Sequence, residues 1–166
     1  MLDIIKFILR FLNKIYLYES ISNKKKVKFK NLEIKIFKNI KKINSLELKN
    51  FIKIKNLSKR FKYNQFLIVL YKKEKQIGYG WFYEGNYWRI SEINRTYPLK
   101  KAILLFDFNI KKKFRNKGYY KKFLILIKNI KKNKKFYIYA LKTNKLSRKG
   151  ILNAGFKVKD ILKFRI

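Results

Sequence analysis

The chain has 166 residues, 48% of them hydrophobic and 17% aromatic, with no cysteine and no histidine. That is the length of one domain with enough apolar side chains for its own core, so a disordered polycation, disulfide staples, thiolate nucleophiles, imidazole bases and the usual zinc sites are all excluded. Forty-five Lys and Arg against nine Asp and Glu give a formal net charge of +36, a field that attracts nucleic acid, anionic lipid or phosphorylated ligands and weakens with salt.

Lys, Asn, Ile, Phe and Tyr abound while proline occurs once and glycine six times. A genome poor in G and C writes such a composition, so much of the charge needs no functional cause. Lysine also outnumbers arginine, although arginine is the better bidentate reader of phosphate and base edges.

Met1–Tyr18 has helical texture, with Lys6, Arg10, Asn13 and Lys14 as a polar stripe and Ile5, Ile8, Leu9, Phe11, Leu12 and Ile15 covering the rest. Charges break the apolar run well short of a bilayer's thickness, and Asp3 together with the lack of a small-residue cleavage site speaks against a signal peptide. Two readings stay open: a helix docked on its own domain or a partner, and a basic amphipathic helix lying on a membrane surface. With the lysine-rich connector that begins at Ser22, it forms an expected appendage over residues 1–25, leaving 26–166 as a single domain.

Val27–Ile36 alternates as a strand broken at Lys30-Asn31, and Asn44-Ser45 offers an N-cap to one helix running from Leu46 through Leu57 toward Phe61. Gln65–Tyr71, Ile77–Tyr83 and Tyr87–Ile93 read as an antiparallel run, with turns at Lys72–Gln76 and Glu84-Gly85-Asn86. Arg95–Lys100 is a loop with the single proline. Ile103–Ile110 is a buried strand, followed by a cationic turn, a crossover helix over Gly118–Ile130 and a roughly parallel strand, Phe136–Leu141. A helix over Leu146–Asn153 and a strand over Lys157–Phe164 close the domain. The fold class is mixed α/β, with a mostly antiparallel central sheet flanked by helices.

The rest is organised around Ile103–Leu126. A strand feeding a glycine-bearing loop that opens a helix holds phosphate, because the first N–H groups of a helix have no partner inside it and carry the positive end of its dipole. Gly118 permits a close approach or a positive φ, and Arg115, Lys117, Lys121 and Lys122 surround it with charge.

At these residues the chain resembles the GNAT superfamily of acetyl-CoA-dependent N-acyltransferases. Arg115-x-x-Gly118-x-Tyr120 is similar to that family's R/Q-x-x-G-x-G/A pyrophosphate loop, with Tyr120 where glycine or alanine is usual. Ile110, five residues before Arg115, matches the hydrophobic end of the family's cofactor strand, and Asn144-x-x-Ser147 and Ala154-Gly155-Phe156 resemble its N-x-x-S segment and closing GF. The resemblance covers roughly Lys75 to the C-terminus. It implies a GNAT-like acyl-CoA N-acyltransferase fold, acetyl-CoA as co-substrate without a metal, and direct transfer to a primary amine of a small acceptor in a ternary complex. It also implies a cofactor strand and a next strand that splay apart between Phe106–Ile110 and Tyr137–Leu141. The backbones of Phe108 and Ile110 would bond the pantetheine arm, Asn144 and Ser147 would support it, and Arg115, Asn116, Lys117, Gly118, Tyr119 and Tyr120 would hold the pyrophosphate. The aromatic strands with Trp81, Tyr83, Tyr87 and Trp88, and the strand Leu-Phe-Asp-Phe-Asn-Ile, resemble acetyltransferases found with bacterial surface-polysaccharide genes, whose acceptors are nucleotide-linked amino sugars.

Acetyl transfer to an amine needs a neutral amine, an oxyanion site and a proton for the leaving thiolate. The family's tyrosine acid falls near Ile151, so that role is vacant. Tyr120 or Tyr119 could supply the acid, with packing as the bland alternative; Glu92 and Asp107 are the candidate bases because carboxylates are scarce and both lie in apolar runs, with a paired or capping carboxylate as theirs. Asn144 and Ser147 could equally be an ordinary N-cap pair. Expected partners are acetyl-CoA and the amine, with non-specific nucleic acid at low salt, a membrane surface through residues 1–18 and a second copy as further ones; the expected location is the cytoplasm or the inner membrane face. A basic nucleic-acid or ribosome-binding module and an inactive acyl-CoA-binding domain are the alternatives.

Overall fold

The computed structural model describes residues 14–23, 25–43, 46–52 and 57–164. Leu67 and Val69 alternate with Ile68 and Leu70, and all four are buried. A strand apolar on both faces belongs to a sheet covered on both sides. That strand is β3 (Gln65–Lys72), and it lies in a seven-stranded sheet with β1 (Lys14–Ile21), β2 (Leu32–Phe37), β4 (Lys75–Glu84), β7 (Ile103–Ile110), β8 (Lys135–Leu141) and β9 (Lys157–Lys163). Their order is β2-β3-β4-β7-β8-β1-β9, antiparallel throughout except where β7 meets β8. Helices α1 (Leu46–Ile52) and α2 (Leu57–Lys62) cover one face, where Leu48, Ile52 and Phe61 pack with Val69, Trp81 and Leu104. Helices α3 (Tyr119–Ile127) and α4 (Lys145–Asn153) cover the other, where Phe123, Leu124 and Ile151 pack with Ile68, Leu105 and Ile138.

Several sequence expectations are corrected. Residues 14–18 are strand rather than helix, while residues 1–13 lie outside the described residues. From Lys14 the pattern has period two, with Ile15 and Leu17 in one core cluster and Tyr16 and Tyr18 in or against the other. β1 fills the slot between β8 and β9, with Leu17 opposite Tyr139 and Ile15 opposite Leu162. Ladder partners on both sides override the helical spacing of the preceding residues. Residues 14–21 therefore belong to the central sheet and not to an appendage.

The stretch Tyr87–Ile93 does not continue the main sheet. β5 (Tyr87–Ile90) pairs with β6 (Arg95–Pro98), inside the expected loop, as a separate two-stranded sheet, and Ser91–Ile93 is a 3-10 turn ending at Asn94 with φ 48°. The hairpin is held on the sheet by Trp88, whose ring lies 5.0 Å from Tyr83 and 4.6 Å from Phe106. The expected single helix after residue 44 is two, α1 and α2, and its proposed cap at Asn44-Ser45 lies outside the described residues. The crossover helix ends at Ile127, three residues early, where Lys128 turns back to donate to the Ala154 carbonyl at 2.9 Å. Trp81 is fully buried, so it is no sugar platform; of the four aromatics in that region, Tyr87 is the well-exposed one.

The ladder between β4 and β7 is irregular at one point. Tyr79 pairs with Asn109 and Trp81 with Phe106, so Gly80 of β4 faces two residues of β7, Asp107 and Phe108. This is a β-bulge, and Asp107 takes φ 50°. A Cβ on Gly80 would lie 2.3 Å from the Phe108 ring, so only glycine leaves that ring its place.

Candidate functional site

β7 and β8 are parallel for three rungs only, Ile103 to Phe136, Leu104 to Tyr137 and Leu105 to Ile138. The bulge at Asp107 then turns β7 aside, and Phe106–Ile110 faces Tyr139–Leu141 across a gap with no ladder. A groove of about 880 Å³ opens there and runs over the α3/α4 face. It is lined by Phe108, Ile110, Arg115, Asn116, Gly118, Tyr119, Tyr120, Asn144 and Ser147. Lys117 is exposed and outside that lining.

Local bonds set the loop that closes the groove. Arg115 donates from Nε to the Ile110 carbonyl at 2.8 Å and from Nη2 to Asn109 Oδ1 at 3.3 Å, tying the loop to the end of β7. Gly118 caps α3 with φ 72°, and the space a Cβ would occupy is open for 4 Å. A ligand can thus reach the first turn of α3 unobstructed. Tyr119 stands among Lys72, Lys117 and Lys122; a hydrogen bond with Lys72, then the charges of these lysines, hold its phenol below the ordinary value.

Tyr120 points the other way. Its ring lies 5.7 Å from that of Phe108 and fills the space above Gly150, and its hydroxyl is 3.4 Å from Ser147 Oγ. Burial pushes its phenol up to about 12, so it stays protonated. The Asn144 side chain accepts from the Ser147 amide at 3.0 Å, an N-cap at the mouth of the groove. Ile151 is buried in the core.

On the opposite face of the sheet, between α2 and the β5–β6 hairpin, lies a second cavity of about 400 Å³. Glu92, Phe106, Asp107 and Tyr139 line both cavities, so the two meet at the splay. Asp107 Oδ2 accepts from Arg60 Nη2 at 2.7 Å, and the guanidinium is centred 4.8 Å from the Trp81 ring and 5.6 Å from the Phe106 ring. Glu92 Oε2 accepts from Ser91 Oγ at 3.1 Å. It sits on the 3-10 turn beside the sheet instead of in a third main-sheet strand. Burial first, and then the charge of Glu92, drive the Tyr139 phenol far above its ordinary value.

Sequence reasoning singled out Glu92 and Asp107, which line both cavities, but not Arg60 or Tyr139, which lie beside them. The alternation of β8 carried a signal for Tyr139, which shares the face of Tyr137; nothing local in α2 marks Arg60.

No protein-family model matches the chain, and no curated protein matches it in sequence. Among solved structures it is similar to a conserved protein of unknown function from Staphylococcus epidermidis ATCC 12228, with 12% identity and TM-score 0.61, covering 90% of this chain and 59% of that one. It is similar to a candidate acetyltransferase of the GNAT family from Novosphingobium aromaticivorans DSM 12444, with 8% identity and TM-score 0.58, covering 90% and 61%. A GNAT-family acetyltransferase from Colwellia psychrerythraea matches at 15% identity and TM-score 0.51, covering 92% and 56%. This chain therefore spans about three fifths of the length of the first two. Sheet order, splay and these likenesses together define a GNAT-like acyltransferase fold.

Proposed function

We propose that this protein is an N-acetyltransferase that moves an acetyl group from acetyl-CoA to a primary amine of a small acceptor, by direct transfer in a ternary complex. The observation that carries the reading is the meeting of two cavities at the splay, one ending at the open first turn of α3 and the other lined by carboxylates and aromatics. Holding two reactants in one geometry supplies about 7–11 kcal/mol of the barrier. The fit to acetyl-CoA rests on the groove of about 880 Å³, the edges of β7 and β8 left without a ladder beyond Leu105 and Ile138 for an amide-bearing arm, and the cationic loop around Gly118. When bound, acetyl-CoA supplies the activated acetyl thioester.

In this reading the backbones of Phe108 and Ile110 bind the arm, Arg115 holds the loop in place, and Asn116, Lys117, Gly118 and Tyr119 face the phosphates, Lys117 from the rim. Asn144 and Ser147 fix the start of α4 beside Tyr120. Glu92 takes the amine proton, Asp107 is held at the seam by Arg60, and the neutral phenols of Tyr120 and Tyr139 are the available proton donors. Nucleotide-linked amino sugars suit the aromatic and cationic acceptor side.

The test is a calorimetric titration of acetyl-CoA at moderate and high salt, with ATP as a control polyanion, on wild type and Gly118→Glu. Saturable binding that prefers acetyl-CoA, survives salt and disappears in the variant supports the reading. Binding that follows charge alone and fades equally for both ligands overturns it in favour of a polycation that binds nucleic acid.

A further inference from the structure

The surface around the mouth of the larger groove differs from the rest of the molecule in sign. All nine acidic residues lie outside residues 108–159, the stretch that builds the loop, α3, β8 and α4. Among the described residues, the carboxylates that line the groove are Glu92 and Asp107, where it joins the second cavity. On and beside α3 and α4 at the mouth stand Lys117, Lys121, Lys145 and Lys149, all exposed and, among the described residues, none in an ion pair. Leu146 lies between the last two in the chain, lines the groove and is 79% exposed. An aliphatic centre inside a charged rim is the anatomy of a surface that receives a protein. The exposed tyrosines Tyr63 and Tyr87 lie on other elements, so among the described residues this face presents no well-exposed ring on which single-stranded bases would stack.

Resting on the acyl-transfer reading, we propose that this face docks an acidic carrier protein that presents its acyl group as a thioester on a phosphopantetheine arm, so that the groove takes acyl groups from a protein as well as from the free coenzyme. The two donors share the arm and the phosphate next to it, which the edges of β7 and β8 and the open first turn of α3 receive alike. They differ beyond that phosphate, where the coenzyme has a nucleotide and the carrier an acidic surface for Lys145, Lys149 and Leu146 to meet. Opposite charge steers such a partner and fixes its orientation. The transfer balances without a further reagent: the thioester C–S bond breaks, the amine nitrogen forms the C–N bond and gives up a proton, and the thiolate left on the carrier's arm takes one up. Carrier and coenzyme then compete for one groove.

The experiment is calorimetry on the full chain at about physiological ionic strength, with an acyl carrier protein as probe in two forms, acetyl-loaded on its arm and apo without the arm. A single-stranded oligonucleotide of the same net charge is the comparison. The acetyl-loaded carrier is expected to bind saturably, to be displaced by acetyl-CoA, and to bind about tenfold or more tighter than the apo form and the oligonucleotide. It should weaken about tenfold or more in Lys145→Ala/Lys149→Ala and in Leu146→Ser, but less than about threefold in Lys25→Ala/Lys26→Ala, which removes equal charge from the connector. Leu146→Ser removes no charge and should leave acetyl-CoA binding within about threefold. Equal loss in both double variants, absence of carrier binding, or tighter binding of the oligonucleotide overturns the proposal, the last assigning this face to nucleic acid. Acetyl-CoA titrated into the same samples separates the two failures: if it binds while the carrier does not, only the carrier falls, and if neither binds the acyl-transfer reading falls with it.

Discussion

Replacing Gly80 by alanine tests whether the bulge in β7 is built around a missing Cβ. The added carbon would sit 2.3 Å from one carbon of the Phe108 ring and 2.4 Å from the next, closer than any relaxed contact. The ring cannot retreat easily, since it lies 5.7 Å from the ring of Tyr120 and 5.4 Å from that of Phe123. Overpacking of this kind costs about 1–3 kcal/mol. Removing a strand glycine returns about 0.5–1 kcal/mol of backbone entropy, so Gly80→Ala should lose about 1 kcal/mol net. Against a Phe108→Ala background the clash is gone, and the same change should become stabilising by about 0.5–1 kcal/mol. Urea unfolding of the four proteins in this cycle measures the coupling. If Gly80→Ala costs the same with and without the Phe108 ring, the steric account of the bulge is wrong. The single variant should also weaken acetyl-CoA binding, because Phe108 lines the groove.

Tyr139→Phe keeps the packing of β8 but removes a donor held neutral at the seam; kcat should fall about a hundredfold with little change in KM, measured as thiol release with an accepted amine, and an unchanged kcat would retire Tyr139. Lys128 is buried and its ammonium is held below the usual lysine value by desolvation. The unfolded chain therefore keeps that proton to higher pH than the folded one, and stability should rise with pH in the window just below 10.5. Lys128→Met should lack that rise, which matched urea melts across the window would reveal. Leu17→Ala, at a site 1% exposed in the middle of the sheet, should cost about 2–5 kcal/mol; a loss under about 1 kcal/mol would mean β1 is peripheral.

What could be read in the chain tracked the locality of the signal. The strand Ile103–Ile110, the loop around Gly118 and the helix after it are legible because alternation, a turn glycine and a 3.6-residue stripe all lie within about twenty-five residues. The positive φ at Gly118 is the kind of fact that a glycine at a strand-to-helix turn announces. Tyr87–Ile90 was legible as extended, but its departure from the main sheet depends on Trp88 finding Tyr83 and Phe106, which no local pattern encodes. Arg60 is the sharper case: its partner Asp107 lies 47 residues away, and a lysine-rich background hides the arginine that clamps this carboxylate. The helical spacing of residues 1–13 masked the strand beyond it, because β1 is specified by what flanks it and not by its own residues alone.

The slot occupied by β1 has a consequence for how the chain is made. Its two neighbours, β8 and β9, are encoded more than a hundred residues downstream, and each rung joins residues such as Leu17 and Tyr139 or Ile15 and Leu162. During synthesis this strand is among the first parts of the domain to emerge, yet it has nothing to pair with until almost all of the rest has been translated. Closing so long a loop is slow, and a waiting strand with open edges invites wrong partners. Lysines at Lys14 and Lys24–Lys26, flanking the apolar run of β1, give it the charge that keeps such a segment apart from its copies. Part of the cationic excess then serves the nascent polypeptide before any ligand is met.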